Sequence, residues 1–415
     1  MSMSSSLTQQ HRRKLTIWQS RLHSVPWWAQ CMLLWLAALH VLTSVGLVSA
    51  KAVTALGELG GGYCSSIISA PDSIPGVWAR WDSNYYIRLA EEGYAPFLEA
   101  AGFFPLYPML MAGLSRITGA SPVATGMLIS HLSYLAAILL FYKLARLIRD
   151  DHAYAMRCVL YMLLFPSSFF FFATYAESLS LALSILAVYL VIRARPSYVQ
   201  SGLALCLAAA ARPVSWVLDI VPLVEFIRRR QFSPRSLLSL AVGLALSISG
   251  VVLFVLHLYS ITGTFLAIPQ AQAKWQRQWE LPWLTLWKSI RLALSVDNVR
   301  NDWFLYVINW SDLLFTLLAL TLTALALWWS LKGSRGFSWS LSIYLFSSLA
   351  FIMSSQGRET VPLWGMTRWV AALFPIYLVL GDLSQSRIAH RTMALVSGSL
   401  LLLFTAWWTS GRWVG

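Results

Sequence analysis

Long apolar runs constrain this sequence more than any other feature. Stretches rich in Leu, Ala, Val, Ile, Phe and Trp recur from residue 27 to residue 408. A helix of roughly 20 apolar residues crosses the hydrocarbon core of a bilayer, so the longest runs are each long enough to span a membrane. Only 12% of the residues are charged, about half the share found in ordinary soluble domains. The sequence therefore predicts an all-α polytopic membrane protein.

The runs predict about eleven membrane-spanning segments. Two of them, 198–211 and 214–227, are too short to cross independently, so they predict a broken hairpin that turns at Arg212-Pro213. The run 103–118 contains two prolines and Arg116 and predicts a re-entrant or surface helix. The predicted spans are 27–50, 122–142, 155–173, 177–192, 198–211, 214–227, 236–261, 309–331, 337–354, 367–383 and 392–409.

The charge distribution predicts the orientation of these spans. The formal net charge is +14, and the basic residues lie in short clusters between apolar runs. This pattern is typical of cytoplasmic loops and argues against nucleic-acid binding. Residues 1–26 carry four of these basic residues and are predicted to be a cytoplasmic tail, and residues 27–415 a single transmembrane domain.

Two loops are much longer than the others, 51–121 and 262–308. The predicted orientation places both on the extracytoplasmic side, where each is expected to contain juxtamembrane helices. The run 27–50 is longer than a signal-peptide core, which predicts an uncleaved first span, although Val48-Ser49-Ala50 leaves cleavage open as an alternative.

Motifs for nucleotides and metals are missing from the sequence. It contains no GxxxxGK[ST], no GxGxxG and no Asp-x-Asp pair. Cys31, Cys158 and Cys206 lie in apolar runs and Cys64 in the first long loop, without a Cys-x-x-Cys pair. We therefore expect chemistry on the extracytoplasmic side with no nucleotide, no cofactor, no metal ion and no disulfide framework.

Asp82 is the first candidate for a chemical role. It opens a stretch, Trp81 to Glu92, that reads as an amphipathic helix ending at Gly93, with Asp82 and Tyr86 on one stripe. The alternative is that Asp82 only caps this helix and the aromatic residues anchor it at the lipid headgroups.

Further polar residues are predicted at the same face of the membrane. Glu177, Arg212 and Arg368 each lie at the extracytoplasmic end of a predicted helix, where simple solvation is an equally good explanation. The second long loop adds polar and aromatic residues for which a solvated amphipathic surface is favoured: Gln270, Gln272, Lys274, Trp275, Arg277 and Trp279.

These motifs resemble the PIG-V family of mannosyltransferases, which are membrane glycosyltransferases of the C superfold (GT-C). The resemblance covers about residues 78–380. The specific blocks are Arg80-Trp81-Asp82 through Gly93-Tyr94 and Phe103-Phe104-Pro105-Leu106-Tyr107-Pro108. Weaker blocks follow at Phe165-Pro166-Ser167, Tyr175-Ala176-Glu177-Ser178-Leu179, Ala211-Arg212-Pro213, Gly263-Thr264-Phe265, Ala271-Gln272-Ala273-Lys274-Trp275, Arg368-Trp369 and Leu373-Phe374-Pro375.

The resemblance implies a GT-C-type fold and an inverting mannosyltransferase that uses a polyprenyl-phosphate donor. It implies that Asp82 is the general base, and that Arg212, Arg368 and Lys274 bind the donor phosphate. Further substrate contacts are expected from Trp81, Tyr86, Glu177, Gln272 and Trp275. The acceptor is expected to be a lipid or a glycan, and the membrane to be the bacterial cytoplasmic membrane, or the endoplasmic reticulum in a eukaryote.

Three alternatives remain open from the sequence, and one of them is a catalytically inactive scaffold, since the presence of motifs does not establish activity. A related transferase could move another sugar, such as arabinose, glucose or galactose, since no residue fixes the sugar. A lipid or polyol transporter would instead carry ionisable groups near the bilayer midplane, whereas the candidates here lie at predicted helix ends.

Overall fold

The fold is an all-helical bundle in a computed structural model, which describes residues 25–55, 70, 72–96, 98–295 and 303–414. Residues 1–24 of the predicted tail and Cys64 lie outside these ranges. Within the described ranges, five helices are long and apolar enough to cross a membrane, and three shorter apolar helices accompany them. The α-helices are α1 Trp27–Ala55, α2 Ile74–Trp78, α3 Ser83–Glu92, α4 Leu106–Thr118, α5 Pro122–Ile148, α6 His152–Leu164, α7 Glu177–Ile192, α8 Tyr198–Ala211, α9 Ile220–Arg228, α10 Pro234–Thr262, α11 Ala267–Lys274, α12 Pro282–Ala293, α13 Trp303–Leu331, α14 Trp339–Ser354, α15 Met366–Ala371, α16 Pro375–Leu383 and α17 Arg387–Thr409.

Short elements complete the chain between these helices. Three 3₁₀ helices lie at Leu98–Gly102, Ser168–Phe171 and Pro213–Asp219. Strands β1, Gln278–Trp279, and β2, Ser355–Gln356, pair antiparallel, with Trp279 opposite Ser355. This pairing joins the second long loop to the end of α14.

Two predicted spans are broken at prolines. The predicted span 155–173 is interrupted where α6 ends at Leu164, just before Phe165-Pro166, because proline disfavours a helical conformation in the residue before it. The predicted span 367–383 is divided into α15 and α16 at Pro375, which begins α16. Helix α13 also begins earlier than predicted, since the apolar residues 303–308 extend it into the predicted loop.

The broken hairpin predicted for 198–227 is present. Helix α8 ends at Ala211, the 3₁₀ helix begins at Pro213, and α9 leads back towards the start of α8. The guanidinium of Arg229 closes the hairpin, because it donates to the carbonyl of Ile192 at 2.6 Å and to the carbonyl of Arg193 at 3.1 Å. Arg212 at the turn and Arg229 at the base therefore lie at opposite ends of the bundle.

Small residues let α8 and α10 approach closely. A Cβ atom on Gly202 would lie 2.0 Å from the carbonyl oxygen of Gly243, so neither backbone has room for a side chain there. Close backbone contact through small residues is a common way for helices to associate within a bilayer. The pair fixes α8, and hence Arg212 at its end, against a long spanning helix.

The loops predicted to be cytoplasmic meet at one end of the bundle. Asp382, in the last turn of α16, pairs with Arg149 at 2.7 Å and with Arg335 at 3.0 Å, which joins α16 to the segments after α5 and after α13. Buried Glu225 pairs with Arg228 and Arg229 of the hairpin base. Helix α7 is 16 residues long and runs about 24 Å from this end to Glu177 at the other.

Candidate active site

Asp82 follows a strained backbone turn. Trp81 has φ of 52°, in the left-handed region that is unfavourable for a bulky residue. The buried Tyr175 hydroxyl holds this turn, since it accepts a hydrogen bond from the Asp82 N–H at 3.1 Å and donates one to the Arg80 carbonyl at 3.1 Å. Such strain concentrates at functional sites when the surrounding structure enforces it.

The Asp82 side chain does not cap α3. It occupies the N-cap position but makes no capping hydrogen bond. Instead, Arg368 Nη1 donates to Asp82 Oδ2 at 2.6 Å, across 286 residues of sequence. The alternative that Asp82 is only a helix cap is therefore wrong. Among the described residues, Oδ1 has no hydrogen-bond partner, and the side chain retains 18% of its exposure.

Glu177 lies between two arginines beside Asp82. Its Oε1 atom is 3.5 Å from Arg212 Nη1 and 3.5 Å from Arg368 Nε. The side chains of Glu177 and Arg212 are 3% and 7% exposed. Because charges lose most of their hydration when buried, such a network is stable only with its partners in place. The second carboxylate oxygen, Oε2, is buried and has no partner in the described part of the chain.

Three helix ends present this cluster. Glu177 begins α7, Arg212 follows the last residue of α8, and Arg368 lies in α15. Four residues that the sequence placed on one face, Asp82, Glu177, Arg212 and Arg368, are thus brought together.

Asp312 supports the cluster through helix α15, which carries Arg368. The sequence analysis did not name Asp312 as a candidate. Its carboxylate, fully buried in α13, accepts hydrogen bonds from the N–H groups of Gly365 at 3.2 Å and Thr367 at 3.1 Å. These N–H groups belong to the first turn of α15, so Asp312 satisfies the exposed donors of the helix that carries Arg368. An acidic residue inside a predicted span is the signal that could have identified it.

Arg277 joins the site, although the sequence analysis favoured a solvated surface for it. Its guanidinium lies 5.9 Å from the ring centre of Trp369, and that of Arg212 lies 4.4 Å from the same ring. Burial, together with the nearby positive charge of Arg368, lowers the pKa of Arg277 to about 10. Arg277 therefore remains charged at neutral pH, and three arginines face the two carboxylates of Asp82 and Glu177.

Aromatic side chains enclose the charged cluster. Trp413 lies 5.3 Å from Trp81 between ring centres, and the Arg368 guanidinium lies 5.6 Å from the Trp413 ring. Tyr86 is buried, and burial, then the negative charge of Glu177, raises its pKa well above the usual value for tyrosine. Its hydroxyl therefore stays protonated and can donate a hydrogen bond.

The other candidates form a neighbouring group instead of joining the arginines. Lys274 is exposed and its Nζ lies 3.5 Å from Glu99 Oε2. Gln272 packs against Gly102, and Trp275 contacts Tyr85 with ring centres 5.2 Å apart. Lys274 thus does not reach the cluster in this structure, since the short helix α11 directs it towards the first long loop.

Tyr85 links this neighbouring group to Asp82. Burial raises its pKa to about 12, and the negative charges of Asp82 and Glu99 act in the same direction. Trp275 therefore flanks the site through Tyr85, and Gln272 lies against Gly102. Within the described ranges, no three His, Cys, Asp or Glu side chains are close enough to hold a metal ion, and metal independence stays a prediction.

The helical bundle with this acid and arginine cluster at one end has the fold of the GT-C membrane glycosyltransferases. The crystal structure of ArnT from Cupriavidus metallidurans bound to undecaprenyl phosphate matches 88% of this chain, with a TM-score of 0.52 and 14% sequence identity. This chain spans 63% of the length of ArnT. An apo crystal structure of the Archaeoglobus fulgidus oligosaccharyltransferase matches 91% of this chain and 56% of its own, with a TM-score of 0.41 and 14% identity.

The family resemblance is confirmed for the first half of the chain. Residues 27–220 match the model of the family described as Mannosyltransferase (PIG-V). This match includes Asp82, Glu177 and Arg212, whereas Arg277 and Arg368 lie beyond it. Comparison with the curated proteins gives no match.

Proposed function

We propose that this protein is an inverting glycosyltransferase that moves mannose from a polyprenyl phosphate to a hydroxyl group of a lipid or glycan acceptor. One observation carries the proposal. Asp82 is fixed through Oδ2 to Arg368, and Oδ1 is left without a partner among the described residues, in a buried site that holds three arginines. The similarity to the Mannosyltransferase (PIG-V) model supports mannose as the sugar.

Asp82 supplies the general base. Its Oδ1 atom accepts the proton of the acceptor hydroxyl as that oxygen attacks the anomeric carbon of the donor. A single carboxylate suits a one-step displacement, in which the new bond forms on the face opposite the departing phosphate. A β-linked donor therefore gives an α-linked product.

The arginines stabilise the leaving group. The bond between the anomeric carbon and the phosphate oxygen breaks, and its electron pair stays on the polyprenyl phosphate. Arg212 and Arg368 are positioned to neutralise this charge, and Arg277 supplies a third guanidinium nearby. Arginine suits this task because it stays charged and can bind phosphate through two N–H groups.

The sugar is held by groups that lack partners within the described part of the chain. Glu177 Oε2 is a buried acceptor and the indole N–H groups of Trp81 and Trp413 are buried donors. Sugar hydroxyls would satisfy all three, since an unpaired buried polar group is costly. The Trp81 ring also offers an apolar face for the pyranose.

The donor explains why no nucleotide motif is needed. A polyprenyl-phosphate sugar is membrane-bound and is activated by the phosphate on its anomeric carbon, so it can be used on the extracytoplasmic side without a nucleotide. The crystallised ArnT was bound to a lipid of this class, undecaprenyl phosphate. We place the Asp82 cluster on that side, in the bacterial cytoplasmic membrane, and propose that no metal ion is required.

The test is a transfer assay with purified full-length protein. Radiolabelled mannose on synthetic polyprenyl phosphate is supplied with membrane extract in EDTA, and wild type is compared with Asp82→Asn. We expect transfer by wild type, and a loss of about a thousandfold in the variant because its base is removed.

Glu91→Gln is the matched control, since Glu91 is an exposed acid on the same helix, α3. It should transfer mannose at the wild-type rate. A wild type that transfers only a different sugar would contradict the mannose assignment, and one that transfers none would contradict the enzyme class. Full activity of a folded Asp82→Asn variant would contradict the assignment of the base.

A further inference from the structure

A cavity with a polar rim and an apolar interior lies at the end of the bundle opposite Asp82. It has a volume of about 480 Å³ and is bounded by α1, α6 and the segment leading into α17. Arg157, Arg387, His152 and His390 line its polar part. None of these residues belongs to the site described above.

Three helices begin at this cavity. Helix α1 begins at Trp27, α6 at His152 and α17 at Arg387, and each contributes residues of its first turns to the lining. The N-terminus of a helix carries a partial positive charge. Asp151 offsets that of α6, since it accepts from the Ala153 and Tyr154 N–H groups, and the Ser386 hydroxyl accepts from the Ala389 N–H of α17. The two arginine side chains are therefore the main groups here that favour an anion.

The lining contains no acidic side chain to neutralise this charge. Arg157 donates through Nε to the Gly381 carbonyl at 3.1 Å, and in the described ranges neither Arg157 nor Arg387 forms an ion pair. The nearest carboxylates are engaged elsewhere. Asp151 accepts hydrogen bonds from the first N–H groups of α6, and Asp382 pairs with the arginines of two other loops.

The two histidines are held in place at the cavity wall. His152 Nδ1 is 2.7 Å from the Tyr142 hydroxyl, and His390 Nδ1 is 3.0 Å from the Tyr161 hydroxyl.

The cavity becomes apolar deeper in the bundle. Leu34 lies four residues beyond Gln30 in α1, and Leu160 lies eight residues beyond His152 in α6, so the apolar wall begins roughly 6 to 12 Å from the polar rim. A small free anion would contact only the polar rim and would leave this apolar wall exposed to water. A molecule with a charged head and an apolar chain would cover both parts.

We infer that this cavity binds the phosphate headgroup of an anionic membrane lipid. The phosphate contacts Arg157 and Arg387, and an acyl chain lies along Leu34 and Leu160. The positive charge of the lining favours the phosphate, and its apolar interior favours the acyl chain. This inference does not depend on the proposed transferase activity. The site is a lipid site in the leaflet opposite the candidate active site.

The test measures lipid-specific stabilisation of the full-length protein in detergent. Dioleoyl phosphatidylglycerol, dioleoyl phosphatidylcholine and inorganic phosphate are each added, and the melting temperature is followed. We expect phosphatidylglycerol to raise the melting temperature more than the other two additives. Native mass spectrometry of Arg157→Gln/Arg387→Gln should show phosphatidylglycerol binding weakened by about tenfold or more, because two charged contacts are lost.

Arg116→Gln/Arg291→Gln is the control, since it removes the same charge from the other end of the bundle. It should keep the preference for phosphatidylglycerol, which distinguishes a site from a general charge effect. Equal loss in both double variants, or no preference in the wild type, would overturn the inference. Equal stabilisation by inorganic phosphate would overturn the assignment to a lipid.

Discussion

Arg368 is shared between two carboxylates and, on the proposed mechanism, must also bind a phosphate. It lies 2.6 Å from Asp82 Oδ2 and 3.5 Å from Glu177 Oε1. A donor phosphate near Arg368 competes with Asp82 for the same guanidinium. If the phosphate displaces Asp82, the carboxylate is released at the moment when a base is needed. Without a donor, the ion pair lets Asp82 and Arg368 neutralise each other.

Asp82→Asn is therefore expected to abolish transfer and yet strengthen the binding of bare polyprenyl phosphate. Removing a negative charge beside the guanidinium should tighten binding by about three- to tenfold. The measurement is a titration of purified variants with undecaprenyl phosphate, followed by intrinsic fluorescence. Arg368→Ala should bind more weakly than wild type. Weaker binding by Asp82→Asn would show that the two groups do not compete.

The sequence predicted the residues of the cluster because each lies in a short motif at the end of a predicted helix. Position alone left capping open for Asp82 and simple solvation open for Glu177, Arg212 and Arg368, and the resemblance to the PIG-V family implied their roles. The sequence could not show that Asp82 pairs with Arg368, since their contact spans 286 residues. Asp312, an acid inside an apolar run, could have been noticed in the sequence, but its contact with α15 and the approach of Arg277 from a polar loop are visible only in the tertiary packing.

At the scale of elements, α15 is a short helix that is anchored on several sides. Asp312 accepts from the N–H groups of its first turn, and Ser167 Oγ donates to the Thr367 carbonyl at 2.6 Å. The Thr367 hydroxyl also donates to the Val414 carbonyl at 2.9 Å. A helix of six residues is unstable alone, so these contacts set the direction of Arg368.

Asp312→Asn is expected to reduce transfer by about tenfold or more, because one strong acceptor for the first turn of α15 is lost. If Asp312 acts through Arg368, the effect should vanish when Arg368→Ala is already present. Transfer rates of both single variants and the double variant give this comparison.

Asp219→Asn provides the control for this cycle. Asp219 is a partly buried acid that accepts from the Ser247 hydroxyl at 2.9 Å, away from α15. Its effect on transfer should be the same with and without Arg368→Ala. A full Asp312→Asn effect in the Arg368→Ala background would mean that Asp312 acts on general stability.

The lengths of the apolar runs predicted most helices well, but they did not reveal where prolines break a helix. The predicted bounds of α7 and α8 agree with the structure. The breaks before Pro166 and at Pro375 were not predicted, because the flanking residues are as apolar as the helices. Both breaks lie beside the site, and the second separates α15 from α16.

At the scale of the whole molecule, charge is distributed between two ends. One end holds the basic loops that meet at Asp382 and Glu225, and the other holds the Asp82 cluster. The orientation in which the basic loops face the cytoplasm stays a prediction. Charge counts along the sequence could predict that the two ends of the bundle differ in charge. Only the folded structure shows that three helix ends meet at Asp82.

Thiol labelling in cells tests this orientation. Glu91→Cys and Ser334→Cys are introduced separately after the native cysteines are replaced, and a membrane-impermeant maleimide is applied. Glu91→Cys should react in intact cells, and Ser334→Cys only after permeabilisation. The reverse pattern would place the Asp82 cluster in the cytoplasm and contradict the proposed location.

The anomeric configuration of the product tests the central claim most directly. Wild-type protein is given β-linked polyprenyl-phosphate mannose in EDTA, and the transferred sugar is examined by nuclear magnetic resonance. A single displacement with Asp82 as the only base predicts an α-linked product. A β-linked product, or a requirement for a divalent metal ion, would contradict it.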